Sequence, residues 1–141
     1  MLGFCAIRSL ALTALLLGGS GCVQATQRYV LSTPNEAQGA AGSVSVERIE
    51  GGERLVVVEL DSLPPPEQLG PELRTFVVWV EATDGSRVKA GSLRYDRALR
   101  SGSLMATTAL PSFTVRVTGE RDENVDTPSA MVLAERKVSS N

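Results

Sequence analysis

Thr75-Phe-Val-Val-Trp-Val-Glu-Ala-Thr-Asp-Gly85 decides the fold class of this chain. Successive side chains of an extended strand point to opposite sides. Phe76, Val78 and Val80 therefore share one face, and Val77 and Trp79 share the other. The stretch is rich in β-branched and aromatic residues, and Asp84-Gly85 closes it with a tight-turn signal. As the largest side chain of the strand, Trp79 is expected at the centre of a core between two sheets. Its alternative role is a platform on which a ligand stacks.

The same period of two continues on both sides. Upstream, Ser43–Ile49 alternates Val44 and Val46 with Ser45 and Glu47, and Arg54–Leu60 is dense enough for an interior strand. Between them Gly51-Gly52 reads as a hairpin turn. Ser62–Pro71 holds three consecutive prolines, which supply no donors to a β-ladder, so it is expected as a stiff extended crossing segment. Downstream, Arg87–Tyr95 alternates through Val88, Ala90, Leu93 and Tyr95, with Gly91 marking a bulge or a close backbone contact. Asp96–Leu99 reads as a turn. Ser101–Thr108 places Leu104 and Ala106 inward, and Pro111 ends it. Ser112–Thr118 alternates Phe113, Val115 and Val117 with Thr114, Arg116 and Thr118. An acidic loop, Glu120–Asp126, then leads to a last strand over Ala130–Glu135. Repeats and convincing amphipathic helices are absent. Short strands at spacings near ten residues predict an all-β fold, a single antiparallel immunoglobulin-like β-sandwich of seven to eight strands.

The N-terminus has a different character. Arg8 is the only charge ahead of the apolar run Leu10–Leu17, which is the length of a signal-peptide core and far short of the about twenty residues of a membrane span. Gly18-Gly-Ser-Gly21 follows, and then Cys22. This end resembles the lipobox of bacterial lipoproteins, in which a dedicated peptidase cuts before a cysteine that becomes acylated. Gly19 stands where that family usually has Leu. The alternative is an ordinary signal peptide cut after Gly21 or Ala25, which would leave a free thiol. The resemblance implies a signal peptide over 1–21 and a lipid at the start of segment 22–41, whose polar, small-residue composition reads as a tether with a short strand at Arg28–Ser32. The alternating pattern then places the sandwich over 42–138, with a tail over 139–141. The lipobox resemblance makes Cys22 the lipidation site and the membrane a partner. Val23 after the cysteine, where Asp favours inner-membrane retention in Gram-negative lipoproteins, points to the periplasmic side of the outer membrane rather than the inner. Cys5 leaves with the signal.

The order of Thr75–Gly85, Gly91-Ser-Leu93, Phe113-Thr-Val-Arg-Val-Thr-Gly-Glu120, Pro128 and Val132-Leu133 resembles the extracytoplasmic C-terminal domain of anti-sigma-K-type regulators. It is closer still to small bacterial envelope lipoproteins and secreted proteins of mostly unassigned role, whose sandwich follows an opening like Tyr29-Val-Leu-Ser-Thr-Pro34. The resemblance covers residues 28–135 and rests on fold determinants, not on reactive groups. The cytoplasmic domain and membrane helix of those regulators are not seen in this chain, so the resemblance implies a fold and a location without sigma-factor binding.

Composition narrows the chemistry. The chain contains no histidine, which removes the commonest general base and the commonest transition-metal ligand. With Cys22 acylated, thiol catalysis and Cys/His zinc sites are excluded too. A Ser–Lys dyad would need Lys89 or Lys137, and neither lies in a Ser-x-x-Lys motif. Glu59, Asp61 and Glu81 are not paired by sequence into an acid–base dyad. Removing Arg8 from fourteen basic side chains leaves thirteen against sixteen acidic ones, a net charge near −3, and no basic stripe suggests nucleic acid. No catalytic residue, cofactor or metal is therefore expected. The expected role is non-enzymatic: a membrane-anchored envelope protein acting through contacts with an unidentified envelope protein or as structural support. The alternative is a ligand- or cation-binding sensor using the loops Asp84–Arg87 and Asp122–Asp126. Asp122, Asn124 and Asp126 alternate as calcium ligands do, yet the following Gly and distal Glu of such loops are missing. The proline segment Leu63–Pro71 could also serve in recognition as a preformed polyproline helix.

Overall fold

The computed structural model describes residues 25–33 and 40–139. Their strands are β1 (Gln27–Val30), β2 (Ala41–Arg48), β3 (Arg54–Asp61), β4 (Thr75–Ala82), β5 (Arg87–Ser92), β6 (Arg94–Asp96), β7 (Ser101–Thr108), β8 (Phe113–Glu120) and β9 (Val132–Val138). They form two antiparallel sheets, β1-β2-β3-β7-β6 and β5-β4-β8-β9. Without β1, these are the A-B-E-D and C′-C-F-G orders of an immunoglobulin-type sandwich. The all-β fold is as expected, with nine strands in place of seven or eight. Among the described residues no helix is long and apolar enough to cross a membrane.

The extra strand over the sequence expectation comes from a break. Arg87–Tyr95 is expected as one strand, but at Leu93 the chain leaves one sheet for the other. A bulge falls between Val78 and Trp79 of β4, opposite Lys89–Gly91 of β5. Gly91 has φ +148°, a conformation side chains disfavour, and a Cβ there would press on Leu104 at 3.3 Å. Leu93 then donates its N–H to the Phe76 carbonyl (2.8 Å) while its side chain is buried, and Arg94 opens the short pairing with β7. The proline segment crosses between the sheets as expected, with one correction. Its end is not extended: Pro66–Leu69 makes a single helical turn, α1, with Pro66 at its start, where the missing N–H leaves no bond unmade.

The core lies between the sheets. Val44, Val46, Val56, Val58 and Leu60 meet Phe76, Val78, Phe113, Val115, Val117 and Leu133. Period two delivers all of these to one face of their strands, which is why the register is well specified. Trp79 is not among them, and this overturns the placement expected for it. Phe76, Val78 and Val80 take the inner face of β4, so Trp79 must point outward. It is nonetheless only 2 % exposed.

One flank of the sandwich is sealed by its own chain. β1 pairs with β2, Leu31 is buried in the core, and Ser32 exchanges two backbone hydrogen bonds with Glu135 of β9 (3.0 and 2.9 Å). Arg136 of β9 stacks over the Tyr29 ring at 5.5 Å. Gly42 permits the close approach there, since a Cβ would lie 2.4 Å from Leu60 and 2.7 Å from the Glu59 carbonyl. The opposite flank, between β5 and β7, is open. A groove of about 570 Å³ there is lined by Val80, Val88, Ala90, Ala106 and Leu110, and Val88 is 64 % exposed.

Candidate functional site

A concavity of about 990 Å³ lies on the outer face of the five-stranded sheet. Its floor is Glu59, Leu60, Gly102 and Ser103, and its wall is the β6–β7 hairpin, Arg94–Ser101. A three-residue strand does not hold a hairpin rigid alone. The proline crossing segment does so from outside. Tyr95 Oη donates to the Leu63 carbonyl (2.6 Å), and the Leu63 N–H donates to the Arg100 carbonyl (2.8 Å). Arg97 clasps Glu67 of α1 with both terminal guanidinium nitrogens. The Phe76 ring meets Tyr95 edge-on at 5.2 Å and 75°. Within the hairpin, the Asp96 carboxylate accepts the Leu99 N–H (3.0 Å) and leaves the Leu99 side chain 74 % exposed at the tip.

Two residues of this assembly carry backbone strain. Ser62 and Arg100 have φ of 54° and 52°, and among the described residues they are the only non-glycine positions with positive φ. Each costs about 1–2 kcal/mol. They adjoin one another through the Leu63–Arg100 hydrogen bond, so the strain is concentrated where the crossing segment meets the hairpin. Arg28, Arg94 and Arg97 face Glu59, Asp61 and Asp96 around the cleft, and Arg28 reaches Glu59 at 3.9 Å. Such a lining of alternating charge suits contact with a polar surface.

The clasp between Arg97 and Glu67 titrates. The Arg97 hydrogen bonds hold the Glu67 carboxyl below its ordinary value of 4.5, with the helix backbone adding to the effect. A carboxylate whose folded pKa is depressed stabilises the fold fully above its unfolded pKa and loses that contribution as pH falls through the folded value. Thermal melting of the wild type is therefore expected to drop more steeply below about pH 4.5 than that of Glu67→Gln. Identical pH profiles would show that the clasp contributes nothing.

The other candidates take different places. Glu81 lies on the outer face of the four-stranded sheet, between Arg87 (2.8 Å) and Arg116 (3.6 Å), and Arg116 reaches on to Glu135 (3.0 Å). The Arg87 hydrogen bond lowers the Glu81 pKa, with Arg116 assisting. Asp84 accepts from the Ser86 hydroxyl (2.6 Å) and N–H (2.9 Å), and these bonds lower its pKa. All three of these carboxyls are thus held as anions, the state for pairing and not for donating a proton. Glu59 and Asp61 share the cleft, whereas Glu81 lies on the other sheet. Lys137 is exposed on β9. Cys22 lies outside the described residues.

The acidic loop is built around Lys89. Lys89 Nζ donates to the carbonyls of Glu123 (2.8 Å) and Val125 (3.1 Å), so an ammonium sits where the loop offers backbone oxygens. Asp122 accepts from the Asn124 N–H and side-chain amide (2.8 and 3.0 Å). Among the described residues, no group of three or more Asp, Glu, Cys or His is placed to hold a metal ion. The far side of this loop is tied to a buried relay. Trp79 Nε1 donates to Thr118 Oγ1 (2.9 Å), Thr118 donates to Glu120 (2.6 Å), and Glu120 also accepts the Ser129 N–H (2.7 Å). Ser129 Oγ closes back onto the Gly119 carbonyl (2.7 Å). Bound on one side to Lys89 and on the other to Glu120, the loop roofs Trp79, whose neighbours in register are Lys89 and Arg116. A stacking platform is therefore closed off. The proline segment likewise buries Leu63, Pro64 and Pro66 instead of offering them for recognition.

Sequence reasoning missed the hairpin cleft and the relay. A partial signal for the relay exists: Thr118 and Glu120 fall on the outward face of β8 by period two, opposite the face of Val115 and Val117. The hairpin latch has none, because Glu67 and Arg97 lie thirty residues apart. No family model, curated protein or solved structure matches the chain.

Proposed function

We propose that this chain is a non-enzymatic lipoprotein of the bacterial cell envelope, acylated at Cys22. Its sandwich faces the periplasm from the outer membrane and acts through contacts with another envelope protein or as structural support. The observation that carries this reading is the N-terminal pattern: Arg8, the apolar run Leu10–Leu17, the small residues Gly18–Gly21, and then Cys22. Val23 supports the outer membrane over the inner. The lack of histidine and the anionic settings of Glu67, Glu81 and Asp84 support contact chemistry over catalysis. The latched β6–β7 hairpin, with Leu99 protruding between Arg97 and Arg100, is the surface best suited to such contact, since it is rigid, amphipathic and mixed in charge.

Each buried acyl methylene adds about 0.8 kcal/mol of membrane affinity, so two or three chains anchor a protein durably. Metabolic labelling with palmitate should therefore mark the wild type and place it in the membrane fraction. Cys22→Ser should lose the label and enter the soluble fraction. Label that persists in Cys22→Ser would refute the assignment. Crosslinking in envelope membranes then tests the contact role, with recovery of a defined partner expected for the wild type and reduced recovery for Leu99→Asp. Equal recovery from both would remove the hairpin from the reading.

A further inference from the structure

The direction of β1 carries information about how an anchored domain stands. β1 starts at Gln27 and runs toward Ser32, which pairs with Glu135, while Tyr29 Oη reaches the Ser139 carbonyl beyond the end of β9 (3.4 Å). The start of β1 and the end of β9 therefore share one end of the sandwich. Phe113 belongs to that end, because it pairs with Val138 on one side and Ala82 on the other. So does the β2–β3 turn, since Arg54 donates to the Pro111 carbonyl. The turns 49–53, 83–86 and 109–112 thus gather where β1 begins. The proline crossing segment and the β6–β7 hairpin occupy the opposite end, at the far ends of β3 and β7.

The strands joining these ends have eight residues, and at about 3.3 Å each they separate the ends by roughly 26 Å. From Cys22 to Gln27 the chain spans at most about 17 Å even when fully extended. A lipid at Cys22 therefore confines the start of β1 to the neighbourhood of the headgroups, and the tether is too short to stand the domain inverted, with the hairpin end at the bilayer and the start of β1 roughly 26 Å above it. Charge neither assists nor opposes this. Arg48, Arg54 and Arg87 near the turns are matched in number by Glu50, Glu53 and Asp84. Tether length, and not charge, is what disfavours the inverted stance.

We propose that the end formed by the turns 49–53, 83–86 and 109–112 is the bilayer-facing surface of the anchored protein, and that the β6–β7 cleft is held away from the membrane. This rests on acylation of Cys22. With Cys22 acylated and the signal removed, an introduced cysteine is the sole free thiol of the mature chain. Acylated Glu50→Cys and Ala98→Cys variants, both exposed positions, are labelled with a fluorophore. They are then reconstituted into phosphatidylcholine–phosphatidylglycerol vesicles containing a headgroup nitroxide lipid. Quenching is expected to be several-fold stronger at position 50 than at position 98, and to be insensitive to salt. Ten Gly/Ser residues inserted after Thr26 should reduce the difference. Equal or reversed quenching in the unmodified tether overturns the orientation. The mass of the Cys22 peptide separates the two failures. Acyl chains present with equal quenching sink the orientation alone, and acyl chains absent sink the anchor and the orientation together.

Discussion

Trp79→Ala should destabilise the domain by about 3–5 kcal/mol, the range for truncating a buried aromatic. Few positions outside the main core would respond so strongly. Trp79 stands on the outer face of the four-stranded sheet, where truncation usually matters little, yet it is 2 % exposed and its indole N–H is bonded to Thr118. Removing the ring opens a void beneath the loop 121–131 and leaves Thr118 Oγ1 without its donor. The Thr118–Glu120–Ser129 relay loses its fixed geometry as a result. Trp79→Phe separates the two effects. It retains most of the apolar area and loses the hydrogen bond, which is worth about 0.5–1.5 kcal/mol net. Urea unfolding followed by circular dichroism measures both variants without relying on the lost indole. Amide exchange at Ser129, whose N–H is held by Glu120, reports the roof directly. If Trp79→Ala unfolded at the wild-type urea concentration, the Trp79–Thr118 bond would be an incidental contact and the loop would be held without help from the indole.

The same residue shows where sequence reading stops. Alternation assigned the two faces of β4 correctly, and Phe76, Val78 and Val80 do form its inner face. With both faces apolar, however, size was a poor guide to which one meets the second sheet. What buries Trp79 is a loop more than forty residues downstream, held by Lys89 and Glu120, and no local pattern announces that cover. The acidic residues of the same loop suggested cation ligands because their spacing is visible in sequence. The ammonium that engages its carbonyls comes from Lys89, thirty-four residues before Glu123. The strand expected over Arg87–Tyr95 divides because Gly91 permits a bulge and the burial of Leu93 turns the chain toward the other sheet. Gly91 was visible as a warning, but the change of sheet was not. Strand positions and inward faces follow from local alternation. The cleft does not, because it depends on pairings such as Tyr95 with Leu63 and Arg97 with Glu67, which exist only once the fold has brought them together.

Phe76 links the core to that cleft, and its replacements should divide stability from hairpin order. It is fully buried among the inner residues of β4, and its ring packs edge-to-face with Tyr95 in the hairpin wall. Phe76→Ala is expected to lose about 3–5 kcal/mol by urea unfolding, because the void forms between two sheets that cannot both close on it. Phe76→Leu keeps most of the apolar volume, so the greater part of that stability should return. It still loses the aromatic edge contact, worth about 0.5–1.5 kcal/mol beyond area burial. The Tyr95 ring then has more freedom, and the bond from its hydroxyl to the Leu63 carbonyl loosens with it. Because Leu63 in turn holds the strained Arg100, amide exchange at Leu63 and Leu99 should quicken in Phe76→Leu while exchange at Val58 and Val117 stays close to wild type. Uniform acceleration at all four amides would mean that Phe76 supports the sandwich as a whole and does not position the hairpin. Unchanged exchange at Leu63 and Leu99 would mean that Arg97 and Glu67 hold the hairpin without help from the aromatic pair.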